Sequence, residues 1–390
     1  MDNSKDIFLK TINLQKSGRC PAGVHWWGIY KYEALGLDYK KDAWRAGEKI
    51  SKIYADFYEK FKPDWFHLHI GTPKYFKDSG IVAREGKNFL VIDPGYRDLK
   101  KEDKYFSVNS SDDEEIVDFP DYLLGSRSSK PKVDLTSRNK IDDYIKKYIR
   151  MSFEEIEKMG YTDHVKIISK NYCDKVFIAV HIPSAVCEIF DPTTGYIGFE
   201  KGLLSFYDQP EGMQYLLEKA YEAQLEWAKA FADAGAHAFI ISESFISPDI
   251  ANPEIYRKFL KGVHKDYFAE VKNMGLIPIC QFWGDINPII DDLTEINLEA
   301  LMVEESKKGF DIDVVKIREK IGGRLCIFGN LDSINLLNSG IQEDIKKEIF
   351  RQSQGARFNF IAANGSPITP GTPQENVRCL INTAKEIKWD

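Results

Sequence analysis

Seven points in the chain end an apolar run in something polar or unusual, and these are the residues that could do chemistry. They are His69-Ile-Gly71, His181-Ile-Pro183, Glu243-Ser244, Gln281-Phe-Trp-Gly-Asp285, Glu304-Glu305, Gly329-Asn330-Leu-Asp332 and Asn364-Gly-Ser366. An imidazole at a strand end can move a proton or contact a ligand, but a lone one is as readily packed or bonded to backbone. His69 and His181 are the better placed, whereas His237, early in its strand, reads as packed. Glu243 and Glu304 directly follow apolar strands, where an unpaired carboxylate is expensive. Each therefore serves a site or sits in a salt bridge. Asp332 also reads as the cap of a helix from Ser333. Phe282 and Trp283 read as core or as the wall of a cavity, and Trp26 and Trp27 as core.

The elements that must position these residues alternate. Strands are predicted at 65–70, 176–181, 236–242, 276–280, 300–303, 325–328 and 358–362. Helices are predicted at 42–61, 140–159, 210–234, 253–273, 289–293, 314–320, 333–337 and 342–354, with a last one from Pro373 onward. Strand–helix alternation at this spacing implies a parallel sheet, and so many units favour an α/β (β/α)8 TIM barrel over an open sheet. Strand ends of such a barrel face one opening, at its C-terminal mouth. Residues 107–138 are polar and charged and read as an excursion from a single domain spanning 1–390.

Composition narrows the class. The 390 residues are 43% hydrophobic, enough for a large core, and the net charge is −7. No Lys/Arg tract with interleaved aromatics is present, so nucleic acid is not an expected partner. A mean hydropathy of −0.37 and the lack of an apolar run near ~18 residues argue against a membrane span. The N-terminus has neither a basic start nor an apolar core, and the six cysteines are scattered. Both suit a cytoplasmic protein with reduced thiols. There is no Walker motif, GxGxxG, HExxH, His-x-Cys or paired-cysteine signature.

Three stretches carry a resemblance. Gly329-Asn-Leu-Asp332 before a helix, the tail from Asn364-Gly-Ser366 to Val377, and Ala234-Gly-Ala-His-Ala-Phe-Ile-Ile-Ser-Glu-Ser244 resemble the uroporphyrinogen decarboxylase superfamily. The likeness covers roughly 175–390 and, loosely, the first half. It implies a (β/α)8 barrel with its site at the C-terminal mouth. The decarboxylases of this superfamily use an arginine-bearing N-terminal loop, an aspartate after the first barrel strand and a late histidine. This chain has His25-Trp26-Trp27 in that loop, Gly71 at the aspartate position and Ser366 at the histidine position. The other branch transfers methyl groups with a corrinoid protein, and some members bind zinc through His-x-Cys and a tail cysteine. Those positions fall here on Gln281-Phe-Trp283 and Ser366.

The resemblance and the residues together predict a corrinoid-dependent methyltransferase of the demethylating type. It would move a methyl group from a small methoxylated or methylamine-type donor to cobalamin carried by a corrinoid protein. Glu243 and Glu304 are the expected general acids, or oxygen ligands to zinc or another divalent metal, with Gln281 orienting them. Phe282 and Trp283 would hold an aromatic or quaternary-amine donor. His69, His181, Asn330 and Ser366 are the remaining expected substrate contacts. A homodimer is compatible with this reading. Two alternatives stay open: a decarboxylase of another carboxylated substrate, and a ligand-binding barrel without catalysis.

Overall fold

The computed structural model describes residues 2–26, 29–37, 42, 47–72, 132–191, 195–307 and 309–389, with the backbone of three short strands between them. The predicted excursion at 107–138 lies outside the described residues, apart from the backbone of 107–109 and from 132–138. Seven parallel strands form one sheet, in the order β1-β5-β6-β7-β8-β9-β10. They are β1 (Trp65–Leu68), β5 (Phe177–Pro183), β6 (Ala238–Glu243), β7 (Ile277–Phe282), β8 (Ala300–Val303), β9 (Cys326–Phe328) and β10 (Phe360–Ile361). The strands β2 (Ala83–Glu85), β3 (Asn88–Ile92) and β4 (Tyr105–Asn109) make a separate antiparallel sheet.

Residues 21–24 touch both edge strands of the seven. Ala22 bridges Ala362 in parallel fashion. Gly23 N–H donates to the Ala362 carbonyl, and Asp64 N–H donates to the Ala22 carbonyl, both at 2.9 Å. The indole of Trp65 donates to the Val24 carbonyl at 3.0 Å. Gly23 has to be glycine here, because a Cβ would sit 2.6 Å from Ile361 Cγ2. An ion pair ties the segment down: Arg19 makes two bonds to Asp64, at 2.8 and 2.6 Å, and Asp64 also accepts from Ala22 N–H. Burial alone would raise the Asp64 carboxyl, but the Arg19 hydrogen bonds hold it below its usual range.

Helix α1 (Ser4–Ile12), started by an Asn3–Asp6 capping box, closes the lower end of the interior. Its Phe8 stacks on Phe177 at 4.6 Å and on Trp65 at 5.4 Å. Trp65 in turn lies parallel to His67 at 5.0 Å, so the apolar floor passes directly into the first polar layer. Helix α2 (Glu48–Phe61) buries Ile50, Ile53, Tyr54, Phe57 and Phe61 as their spacing predicts. The long helix α3 (Pro210–Asp233) starts with proline at its first turn and buries Leu216, Leu217, Ala220, Trp227 and Phe231. Helix α4 (Lys261–Asn273) packs beside it. Among the described residues, no helix is long and apolar enough to cross a membrane.

One boundary differs from expectation in a way that matters. Strand β7 does not stop at Cys280 but runs through Phe282, paired with β6 up to Glu243. Alternation then sends Gln281 to one face of the sheet and Phe282 to the other.

Candidate active site

Alternation along four strands brings one polar layer to the interior. His67 and His69 from β1 and its end, His181 from β5, Ser242 from β6 and Gln281 from β7 all point there. His25 joins them from the 21–25 segment, held by Asn364: its N–H donates to Asn364 Oδ1 at 2.9 Å, and its carbonyl accepts from Asn364 Nδ2 at 2.7 Å. All six are buried.

Hydrogen bonds join five of the six, from His67 through His181, Ser242 and Gln281 to His25. His67 Nδ1 lies 2.8 Å from the Trp26 carbonyl, and its Nε2 2.8 Å from His181 Nδ1. His181 Nε2 contacts Ser242 Oγ, which donates to Gln281 Oε1 at 3.4 Å. Gln281 Nε2 reaches His25 Nδ1 at 3.2 Å and the Gly365 carbonyl at 3.3 Å. His69 Nδ1 meets the Tyr54 hydroxyl at 3.3 Å, and its ring lies 5.7 Å from that of His181. The Trp26 carbonyl can only accept, so the single proton of neutral His67 sits on Nδ1 and its Nε2 carries a lone pair.

Burial makes these imidazoles neutral. It lowers His25 to about 3 and takes His67, His69 and His181 well below 6.5, neighbouring histidines adding to the shift in the last three. A neutral imidazole is the form that ligates metals. One nitrogen each from His25, His67 and His181 lies within 4.8 Å of the others, the one such set among the described residues.

Above this layer the groups are charged. Ser366 Oγ donates to Glu305 Oε1 at 2.7 Å, and Lys307 pairs with Glu305 at 2.6 Å and Glu304 at 3.2 Å. Glu304 also accepts from Gly284 N–H at 2.8 Å. Gly365 joins the two levels. Its carbonyl meets Gln281 and His25, while a Cβ on it would lie 2.5 Å from Glu305 Oε2. Trp283 is half-buried with its ring 6.2 Å from His25.

Three expected site residues stand elsewhere. Glu243 follows Ser242 and so faces outward, fully buried between β6 and helices α3 and α4. Its Oε1 accepts from the Tyr221 hydroxyl and lies 3.1 Å from His264 Nε2. Phe282 likewise faces outward and meets the Tyr256 ring edge-on at 6.0 Å. The Asn330 amide donates to the carbonyls of Glu304 and Ile312, and so holds the loop together. His237 accepts from Ile178 N–H, as a packed histidine should, and Asp332 caps the turn at Ile334 and Asn335. The sequence alone assigns no site role to His67 or Ser242, and names His25 and Glu305 only as neighbours of other candidates. For His67 a signal existed: two residues from His69, it must share its face of the strand.

The zinc set of the corrinoid branch does not fit at the positions where it would fall. Gln281, Trp283 and Ser366 offer an amide, an indole and a hydroxyl, none of them a zinc donor of that kind. The aspartate position is equally closed. A Cβ at Gly71 would lie 2.7 Å from the Tyr161 carbonyl and 2.5 Å from His164 Nδ1.

A seven-stranded parallel α/β sheet with a polar layer at its C-terminal strand ends is the arrangement found in barrel-like α/β folds. Residues 134–387 match the uroporphyrinogen decarboxylase (URO-D) family, and the chain belongs to that family. It is 32% identical over 170 residues to methylcobamide:CoM methyltransferase MtaA of Methanosarcina barkeri, across 44% of this chain and 48% of that protein. The chain thus spans about half the length of that relative. It is 26% identical over 278 residues to a uroporphyrinogen decarboxylase of Chlorobaculum parvum, across 68% of this chain and 74% of that one. The fold matches a solved methyltransferase from Methanosarcina mazei with a TM-score of 0.69 over 99% of both chains, at 21% identity.

Proposed function

We propose that the protein is a cytoplasmic corrinoid-dependent methyltransferase, moving a methyl group from a small methoxylated or methylamine-type donor to cobalamin carried by a partner corrinoid protein. On this reading, residues 21–24 act as the eighth stave of a closed barrel, and 1–390 fold as one domain. The observation that carries it is the uncharged layer at the strand ends. A decarboxylase of a polycarboxylate needs cations at hydrogen-bonding distance. The layer itself holds uncharged imidazoles, a hydroxyl and an amide; of the lysines beside it, Lys31 is buried with its ammonium over the Tyr54 ring at 4.1 Å, and Lys307 pairs with two carboxylates. The likeness to a methylcobamide:CoM methyltransferase agrees with this.

In the proposed reaction the methyl–heteroatom bond breaks and its electron pair stays on the heteroatom, while the methyl carbon bonds to the cobalt of cob(I)alamin. Cob(I)alamin is a strong nucleophile, so this chain's task is to hold the donor and stabilise the departing atom. Trp283 and His69 flank the donor, and its departing atom faces His181 and Gln281. Glu305 and Ser366, with Glu304 and Lys307 around them, supply the proton or polar contacts at the entrance. Zinc or another divalent metal could share in that stabilisation.

The test is anaerobic. Purified protein is mixed with cob(I)alamin and a panel of methoxylated aromatics and methylamines, and methylcobalamin is followed by absorbance. Methylcobalamin formation with one donor class supports the reading. Failure across the panel, with conversion of uroporphyrinogen to coproporphyrinogen instead, transfers the protein to the decarboxylases. That second reading draws on the Chlorobaculum relative. Its expected rate here is below about a tenth of a genuine decarboxylase, a barrier difference of at least ~1.4 kcal/mol.

A further inference from the structure

We infer that His25, His67 and His181 form a three-imidazole site for a divalent transition metal, zinc being the best match, with one coordination position left open toward Gln281 and Trp283. The site stands on the geometry alone; only its role in methyl transfer rests on the function proposed above. It takes over the place of the His-x-Cys and cysteine set, whose positions here cannot hold zinc.

The outer nitrogens of the three rings fix which inner ones are free to ligate. A ligating histidine donates its other N–H to a carbonyl, carboxylate or hydroxyl, which fixes the tautomer. Each of the three has such an acceptor. His67 Nδ1 faces the Trp26 carbonyl at 2.8 Å, His25 Nδ1 faces the Gly365 carbonyl at 3.4 Å, and His181 Nε2 faces Ser242 Oγ. The nitrogens that remain, His67 Nε2, His181 Nδ1 and His25 Nε2, are the metal-binding ones. Zinc–nitrogen bonds of about 2.0–2.1 Å put tetrahedral nitrogens roughly 3.3 Å apart. His67 Nε2 and His181 Nδ1 are 2.8 Å apart, within about 0.5 Å of that spacing, and one nitrogen from each of the three histidines lies within 4.8 Å of the others.

Loading also orders the protons from His181 to Gln281, while the 3.2 Å approach of Gln281 Nε2 to His25 Nδ1 has to open, because both nitrogens then carry hydrogen. Without metal, His67 Nε2 must accept from His181 Nδ1–H, and Ser242 then donates to His181, leaving Gln281 Oε1 without the Ser242 proton. With metal on Nδ1, His181 donates from Nε2 to Ser242, Ser242 donates to Gln281 Oε1 at 3.4 Å, and Gln281 donates to Gly365 at 3.3 Å. Imidazole-only sets suit zinc, copper, iron or nickel rather than magnesium or calcium. Three protein ligands plus an open position is the arrangement of catalytic rather than structural zinc. The open position would take the lone pair of a substrate oxygen, nitrogen or sulfur.

The test needs no activity. Tag-free protein is stripped with a chelator, reloaded with zinc or cobalt(II), freed of excess metal and analysed by elemental mass spectrometry. The expected result is about one metal per chain, falling to about a tenth of that or less in His67→Gln and in His181→Gln. Glu243→Gln, on the other face of β6, should keep wild-type loading. Because a histidine variant can fail to fold, the wild-type cobalt form is also examined by pulsed EPR for imidazole nitrogen. Three imidazoles per cobalt support the site. Loading well below one in the wild type, fewer than two imidazoles, or undiminished loading in a folded His67→Gln variant overturns it. Metal bound without methyl transfer would leave this site intact and remove only the proposed function.

Discussion

Strand β6 carries two buried polar clusters, one on each face, built from consecutive residues. Ser242 points inward to His181 and Gln281, and Glu243 points outward to Tyr221 and His264. Both are closed to water, yet they differ in what they could do. The outer cluster is sealed by α3 and α4, with Tyr256 on His264 Nδ1 and the Tyr267 ring 5.1 Å from Tyr221. Burial and then Glu243 push the Tyr221 hydroxyl well up, so it remains a donor. The inner cluster lies below a half-buried tryptophan and a charged entrance, at the end of the sheet where such folds place their chemistry. Burial of a carboxylate is therefore a weak guide to a site, because a structural cluster looks the same until its face is known.

Acid separates the two clusters most strongly. His25, His67, His69, His164 and His181 all have folded values below the ordinary 6.5, with burial the leading cause. Between the folded and free values the unfolded chain binds more protons, so stability is full above about 6.5 and drains as pH falls, toward about 3 for His25. Each of these groups can cost up to ~1.4 kcal/mol per pH unit. Urea unfolding at pH 7.5, 6.5 and 5.5 should show the midpoint falling steeply over the last step. A flat profile would mean that the layer is already protonated or open to water.

Glu243→Ala comes next. It strands the buried Tyr221 hydroxyl and His264, and should cost about 2–4 kcal/mol of stability in urea while leaving zinc loading unchanged. Lost loading at unchanged stability would make the outer cluster a site after all. Ser242→Ala removes an acceptor behind His181 and should weaken zinc affinity roughly 10–100-fold in a chelator competition. The smallest effect is that of Trp283→Phe, which keeps a ring at the entrance. The apparent donor affinity should drop only about threefold, worth ~0.7 kcal/mol.

The parallel alternation and most elements were legible in the sequence, because helical periodicity and short apolar runs survive without tertiary context. The face of each strand was not. Ala238-Phe-Ile-Ile241 is apolar on both faces, as strands of a doubly covered parallel sheet are, so no period-two signal marked Ser242 as inward and Glu243 as outward. The β7 boundary set at Cys280 hid the same distinction between Gln281 and Phe282. His25 was out of reach for another reason. Its position depends on the pairing of residues 21–25 with strands at both ends of the chain, and no local pattern encodes that.

The central claim is that methyl transfer happens at the inner face of β6 and not the outer one. The most direct measurement is the rate of cob(I)alamin methylation, with one donor, by folded His181→Gln and folded Glu243→Gln side by side. The account predicts a loss of at least about a thousandfold for His181→Gln, some 4 kcal/mol in barrier, and a change within about threefold for Glu243→Gln. The reverse order, with Glu243→Gln dead and His181→Gln near wild type, would contradict it.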